Sequence, residues 1–98
     1  MEVVFKNSEI ERMALTNWVD PKWPIAVCMS LKQKVVILKA APDERTLRNW
    51  KSLHYEKLKA DLAGLRSIRL NKKYRLLFEL SDGASGPKIN VVDIDDYH

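Results

Sequence analysis

Polar and apolar positions alternate most regularly in the second half of this chain. Over residues 66–80, Ile68 and Leu70, then Tyr74, Leu76, Phe78 and Leu80, occupy every second position, the period of a strand with one buried face. Arg69, Arg75 and Glu79 therefore point the other way, so the stretch predicts a hairpin with a cationic outer face. Residues 82–87, dense in Asp, Gly, Ser and Pro, predict a loop. Residues 89–94 then resume strand composition and run into Asp96, Tyr97 and His98.

The first half carries the longer period of helices. Val3, Val4 and Phe5 form a first strand ended by Asn7, and Ser8 with Glu11 has the form of a capping box. A helix from Ser8 would line up Ile10, Met13, Ala14 and Trp18 until Pro21 and Pro24 stop it. Over residues 25–39 a second helix would bury Ile25, Cys28, Leu31, Val35 and Leu38, although its β-branched end at residues 35–38 also suits a strand. Pro42 ends that element, and Asp43 can cap a short third helix reaching Trp50. Residues 51–63 admit two readings. Tyr55, Leu58, Leu62 and Leu65 fit a helical stripe closed by Gly64, while the resemblance described below favours a strand over residues 55–59.

Ninety-eight residues make one domain over residues 1–98, with one core. Lys and Arg number 17 against 13 Asp and Glu, a mild excess that becomes informative through its distribution. Lys57, Lys59, Arg66, Arg69, Lys72, Lys73 and Arg75 face a lone Asp61 in one stretch, whereas Glu79, Asp82, Asp93, Asp95 and Asp96 outweigh Lys88 in the next. Such a polarity fits nucleic-acid contact beside a site of chemistry, and equally a solvated lysine face. The single cysteine, Cys28, excludes an intramolecular disulfide and lies among Val27, Met29 and Leu31 as a small buried hydrophobe. No run has the length of a membrane helix and the N-terminus lacks the form of a signal peptide, which predicts a cytoplasmic protein with no membrane partner.

Paired cysteines, a His-x-x-x-His pair and a glycine-rich phosphate loop are all absent from a chain with three glycines, so no metal or cofactor is expected. What remains is a titratable group of His54, Glu56, Asp96, Tyr97 and His98 near many cations. RNA cleavage needs a base for the 2′-hydroxyl, cations for the charged transition state and a donor to the leaving oxygen. All of these types are present. Each also has a simpler reading: a frayed terminus for His98, a surface residue for His54, charge pairing for the aspartates, and edge protection for the arginines.

The residues Leu58-Lys59-Ala60-Asp61, Gly64, Ser67-Ile68-Arg69-Leu70-Asn71, Tyr74-Arg75 and Asp96-Tyr97-His98 resemble the HigB toxins of the RelE/ParE superfamily. There a Leu-Lys-Gly-Asp-Arg segment leads into Ser-Ile-Arg-Ile-Asn, an aromatic-Arg pair follows, and the chain closes on Asp-Tyr-His. The resemblance implies an α+β, RelE-like fold: a small antiparallel sheet with N-terminal helices packed on one face. It further implies a type II toxin that cuts mRNA on the 70S ribosome in the A site, and a cognate helix-turn-helix, HigA-like antitoxin. Carried over by position, Asp96, Tyr97, His98, Glu56 and Arg75 would be catalytic, and Lys57, Lys59, Arg66, Arg69 and Lys73 would bind RNA. Within that set Asp96 or His98 would be the base, Arg75 the charge stabiliser and Tyr97 the positioning group. The chain departs from the pattern at Ala60 and Leu62, and at Glu56, where some members carry histidine. Two rival readings are a ParE-like toxin that blocks a protein such as DNA gyrase, and an inactive binding domain of the same fold.

Overall fold

In a computed structural model, which describes residues 1–96, the alternating half builds a meander of β3 (Leu65–Arg69), β4 (Tyr74–Gly83) and β5 (Gly86–Asp96). Ile68, Leu76 and Phe78 are fully buried on its inner face, as their spacing requires. The predicted loop over 82–87 is instead a tight hairpin in which Gly83 pairs with Gly86. Gly86 has φ 117°, and a Cβ on Gly83 would lie 2.8 Å from the Gly86 carbonyl oxygen, so both ends of this turn need glycine.

β1 (Glu2–Phe5) and the two-residue β2 (Glu56–Lys57) complete a five-stranded sheet of order β1-β5-β4-β3-β2. The expected antiparallel sheet is present as β2 to β5, and β1 joins it parallel to β5 with Val3 opposite Ile89 and Phe5 opposite Val91. A bulge shapes β5. Leu77 pairs with Asp93 but Phe78 pairs with Val91, leaving Val92 as the extra residue. Ile89 and Val91 face the core before it, and the frame shift makes Ile94 the next buried position. Asp93 and Asp95 are thereby turned to the outer face.

All three helices cover the inner face, where Met13, Val27, Cys28, Leu31, Val35, Leu38 and Leu47 join the sheet residues in one core. α1 (Ser8–Leu15) is capped one residue earlier than the Ser8 motif predicts: Asn7 Oδ1 accepts from the Glu9 and Ile10 amides at 3.0 and 3.1 Å. Asn7→Ala is therefore expected to cost about 1 kcal/mol and Ser8→Ala only a few tenths, compared by urea midpoints. The helix ends before Trp18, whose ring lies under the Arg12 guanidinium at 4.5 Å. α2 (Ile25–Ala40) stays helical through residues 35–38 and buries its predicted stripe except Ile25, which overhangs at 69% exposure. Cys28 is buried as expected. α3 (Glu44–Asn49) is capped by Asp43, whose Oδ1 accepts from the Thr46 amide at 2.9 Å and whose carboxyl is held below its ordinary range by the two Thr46 hydrogen bonds.

Residues 51–63 form no α-helix. His54 at φ 48° and Ala60 at φ 58° are both left-handed, and either would interrupt an α-helix. Single 3₁₀ turns, Lys51–Leu53 and Ala60–Leu62, flank β2, so the strand favoured by the resemblance is the one found. Gly64, at φ 95°, serves the turn into β3 rather than a helix end.

Candidate active site

Cross-strand register sorts the charged residues onto two faces. On the outer face, away from the helices, one row runs Glu56, Ser67, Leu77, Asp93 and the next runs Arg69, Arg75, Asp95. Arg69 and Arg75 are thus direct cross-strand neighbours, an arrangement that like charges disfavour. A carboxylate from β5 and another from β2 flank them.

Arg75 is not the exposed surface cation that alternation suggests. It is 7% exposed. Its Nε donates to Ser67 Oγ at 2.8 Å, its Nη2 donates to the His54 carbonyl oxygen, and Glu56 Oε2 lies 4.0 Å from Nη2. Arg69 is half-buried, and its Nη1 lies 3.4 Å from His54 Nε2, which accepts only when that nitrogen is unprotonated. His54, Glu56, Arg69, Arg75 and Ser67 therefore form one polar cluster on the outer face. Chemically, it offers one guanidinium held by buried and part-buried contacts, a second beside it, a carboxylate and an imidazole.

The other candidates are dispersed. Arg66 and Lys57 pair across β2 and β3 in register with Phe78, which places them on the helix side. There Arg66 Nε approaches Glu44 Oε2 at 3.4 Å and Tyr55 Oη at 3.3 Å. Asp96 pairs with Tyr74 in register, on the side of Ile94 rather than Asp95, and its Oδ2 lies 3.6 Å from Lys73 Nζ. Lys59 is exposed at the start of the second 3₁₀ turn. Tyr97 and His98 lie outside the described residues. Sequence reasoning assigned no role to Ser67 or Asp95. The signal for Ser67 was a hydroxyl on the outward period of a strand whose neighbours are long cations.

The Arg66 cluster has its own electrostatics. Tyr55 Oη donates to Glu44. Burial and that bond push the Tyr55 phenol up to about 12, while the same bond, helped by Arg66, holds Glu44 below its ordinary value. Glu44 then supports folding above pH 4.5 and ceases to as pH falls through its lowered value; Tyr55 supports folding below pH 10.0 and ceases to as pH rises towards about 12. Tyr55→Phe is expected to flatten the alkaline limb of unfolding midpoint against pH. An unchanged limb would show that this phenol does not titrate with unfolding.

Three comparisons bear on what this arrangement belongs to. The sequence pattern of the HigB-like toxin family, described as the RelE-like toxin of type II toxin-antitoxin system HigB, matches residues 4–98. Toxin HigB-1 of Vibrio cholerae is 34% identical over 85 residues, covering 87% of this chain and 90% of that protein. The solved YoeB/ParE toxin from Agrobacterium tumefaciens superposes with a TM-score of 0.58 over 100% of both chains at 16% identity, a likeness of fold alone. With a match running through both halves of the chain, and a relative this similar over nearly its whole length, this protein belongs to the HigB-like family of RelE-like toxins of type II toxin-antitoxin systems.

Proposed function

We propose that this toxin is an endoribonuclease that cuts mRNA in the ribosomal A site, within the cytoplasm, by attack of a 2′-hydroxyl on the adjacent phosphate. One observation carries the reading: Arg69 and Arg75 are held side by side on the outer sheet face with Glu56 and His54 beside them. The transition state of this reaction gathers charge on the phosphoryl oxygens, and a pair of guanidinia, one of them fixed before substrate arrives, is suited to that charge. A bound phosphate would also relieve the repulsion between them.

Arg75 and Arg69 stabilise the phosphoryl charge, and Glu56 beside them takes the 2′-proton. The family resemblance assigns His98 to return one to the leaving 5′-oxygen and gives Asp96 an acid-base role, although its register sets it on the side of Ile94. Tyr97 orients an unstacked nucleotide. Lys59, before the second 3₁₀ turn, and Lys73, in the turn between β3 and β4, add positive charge at the two ends of β3, whereas Lys57 and Arg66 meet RNA only where it wraps the β2 edge. An acid, a base and fixed cations complete the chemistry without a cofactor. Neutralisation falls to a helix-turn-helix antitoxin partner.

The test is 5′-end mapping of a defined mRNA incubated with purified protein, with and without translating ribosomes, beside His98→Ala. Cuts within codons that require ribosomes and fade in the variant are expected. Growth arrest without any cleavage would overturn the proposal and favour a toxin that blocks a protein target.

A further inference from the structure

We infer that Ser67 and the backbone of His54 are positioning residues that preset the Arg75 guanidinium, and that His54 couples it to Arg69. This rests on the outer face being the RNA-cleaving site. An arginine side chain has many rotamers, and a charge stabiliser is useful only if its plane is set before the transition state forms. Ser67 is fully buried in the middle strand of β2, β3 and β4, so its Oγ, 2.8 Å from Arg75 Nε, moves only with the sheet. The His54 carbonyl takes Nη2. Two contacts, one at each end of the guanidinium, fix its plane.

The His54 arm depends on an uncommon backbone. At φ 48° and ψ 50° this residue is left-handed, a region non-glycine residues seldom enter and one that clusters at functional sites. With that turn made, the carbonyl meets Arg75 while the ring nitrogen Nε2 meets Arg69 Nη1 at 3.4 Å. One residue thereby touches both guanidinia, through its main chain on one side and its ring on the other. Glycine can make this turn easily, and a β-branched residue cannot.

The experiment compares Ser67→Ala, Ser67→Thr, His54→Gly and His54→Val by two readouts: the hydrogen exchange of the Arg75 Nε–H, which reports the Ser67 contact, and of its Nη2–H, which reports the His54 contact, seen by ¹⁵N NMR, and single-turnover mRNA cleavage on ribosomes. Ser67→Ala is expected to lose the protected Nε–H and to lower the cleavage rate about 10- to 100-fold at nearly unchanged KM. Ser67→Thr, which keeps a hydroxyl, should recover both. Both His54 variants lack the imidazole, yet only His54→Gly should keep the Arg75 Nη2–H signal. A protected Nε–H in Ser67→Ala, identical behaviour of His54→Gly and His54→Val, or a lost signal with undiminished cleavage would each overturn the inference. If the wild-type protein cuts no RNA, the proposed function fails by itself, while the NMR comparison still decides whether these groups hold Arg75.

Discussion

Arg75→Ala is expected to slow mRNA cleavage by about 10²–10³-fold, the usual loss when one preorganised charge stabiliser is removed from an active site. The change also strands the buried Ser67 Oγ and takes a donor from the part-buried His54 carbonyl, which lowers stability by about 1–3 kcal/mol. These effects separate in practice. Cleavage is measured well below the unfolding transition, and the folded fraction is followed by circular dichroism in the same buffer. Arg75→Lys retains the charge but loses the fork that reaches Ser67 and His54 together, so it is expected to recover only a small part of the rate. A variant that stays folded and cuts at the wild-type rate would remove Arg75 from the chemistry.

Phe78→Ala is expected to have the largest effect on stability, about 3–5 kcal/mol, out of a total of about 5–15 kcal/mol for a domain of this size. Phe78 has no exposed surface, pairs with Arg66 and Val91, and packs its ring 6.3 Å from that of Tyr55. It also stands at the bulge. A cavity there weakens the contact between sheet and helices and loosens the frame shift that sets which β5 residues face out. The comparison is Val36→Ala, at a side chain 66% exposed on α2, which should change stability by less than about 0.5 kcal/mol. Equal urea midpoints for the two variants would mean the core is not organised around Phe78.

Much of the fold was legible because short-range periods govern it. The period of two in residues 66–80 leaves one way to bury Ile68, Leu76 and Phe78, and Asp43 precedes α3 as a cap should. The same period already separates Arg66 from Arg69, three residues apart and so on opposite faces; grouping both as RNA contacts overlooked it. Other features were not available from local pattern. The Ser8 motif was outcompeted by Asn7, whose shorter loop to the first amides caps the same helix. Left-handed His54 and Ala60 carry no compositional mark, unlike glycine, and they are what dissolves the helical stripe of residues 55–65. The bulge at Val92 is equally silent in sequence. Because it shifts the frame by one, it brings Asp95 opposite Arg75 and sets Asp96 beside Tyr74.

The strand order carries a consequence for how the protein comes into being. β5 is an interior strand, with β1 on one side and β4 on the other, yet it follows the other four strands in the chain. β1, at the other end of that order, must wait for residues 88–91, a pairing across nearly the whole of the 98 residues. Contacts of such long range form late and slowly. Until then β4 has an open edge, and the outer face lacks the β5 carboxylates that flank its arginines. A nascent chain of this kind has the pieces of its site before it has the site, and fragments ending before β5 are expected to be unfolded and harmless rather than partly active.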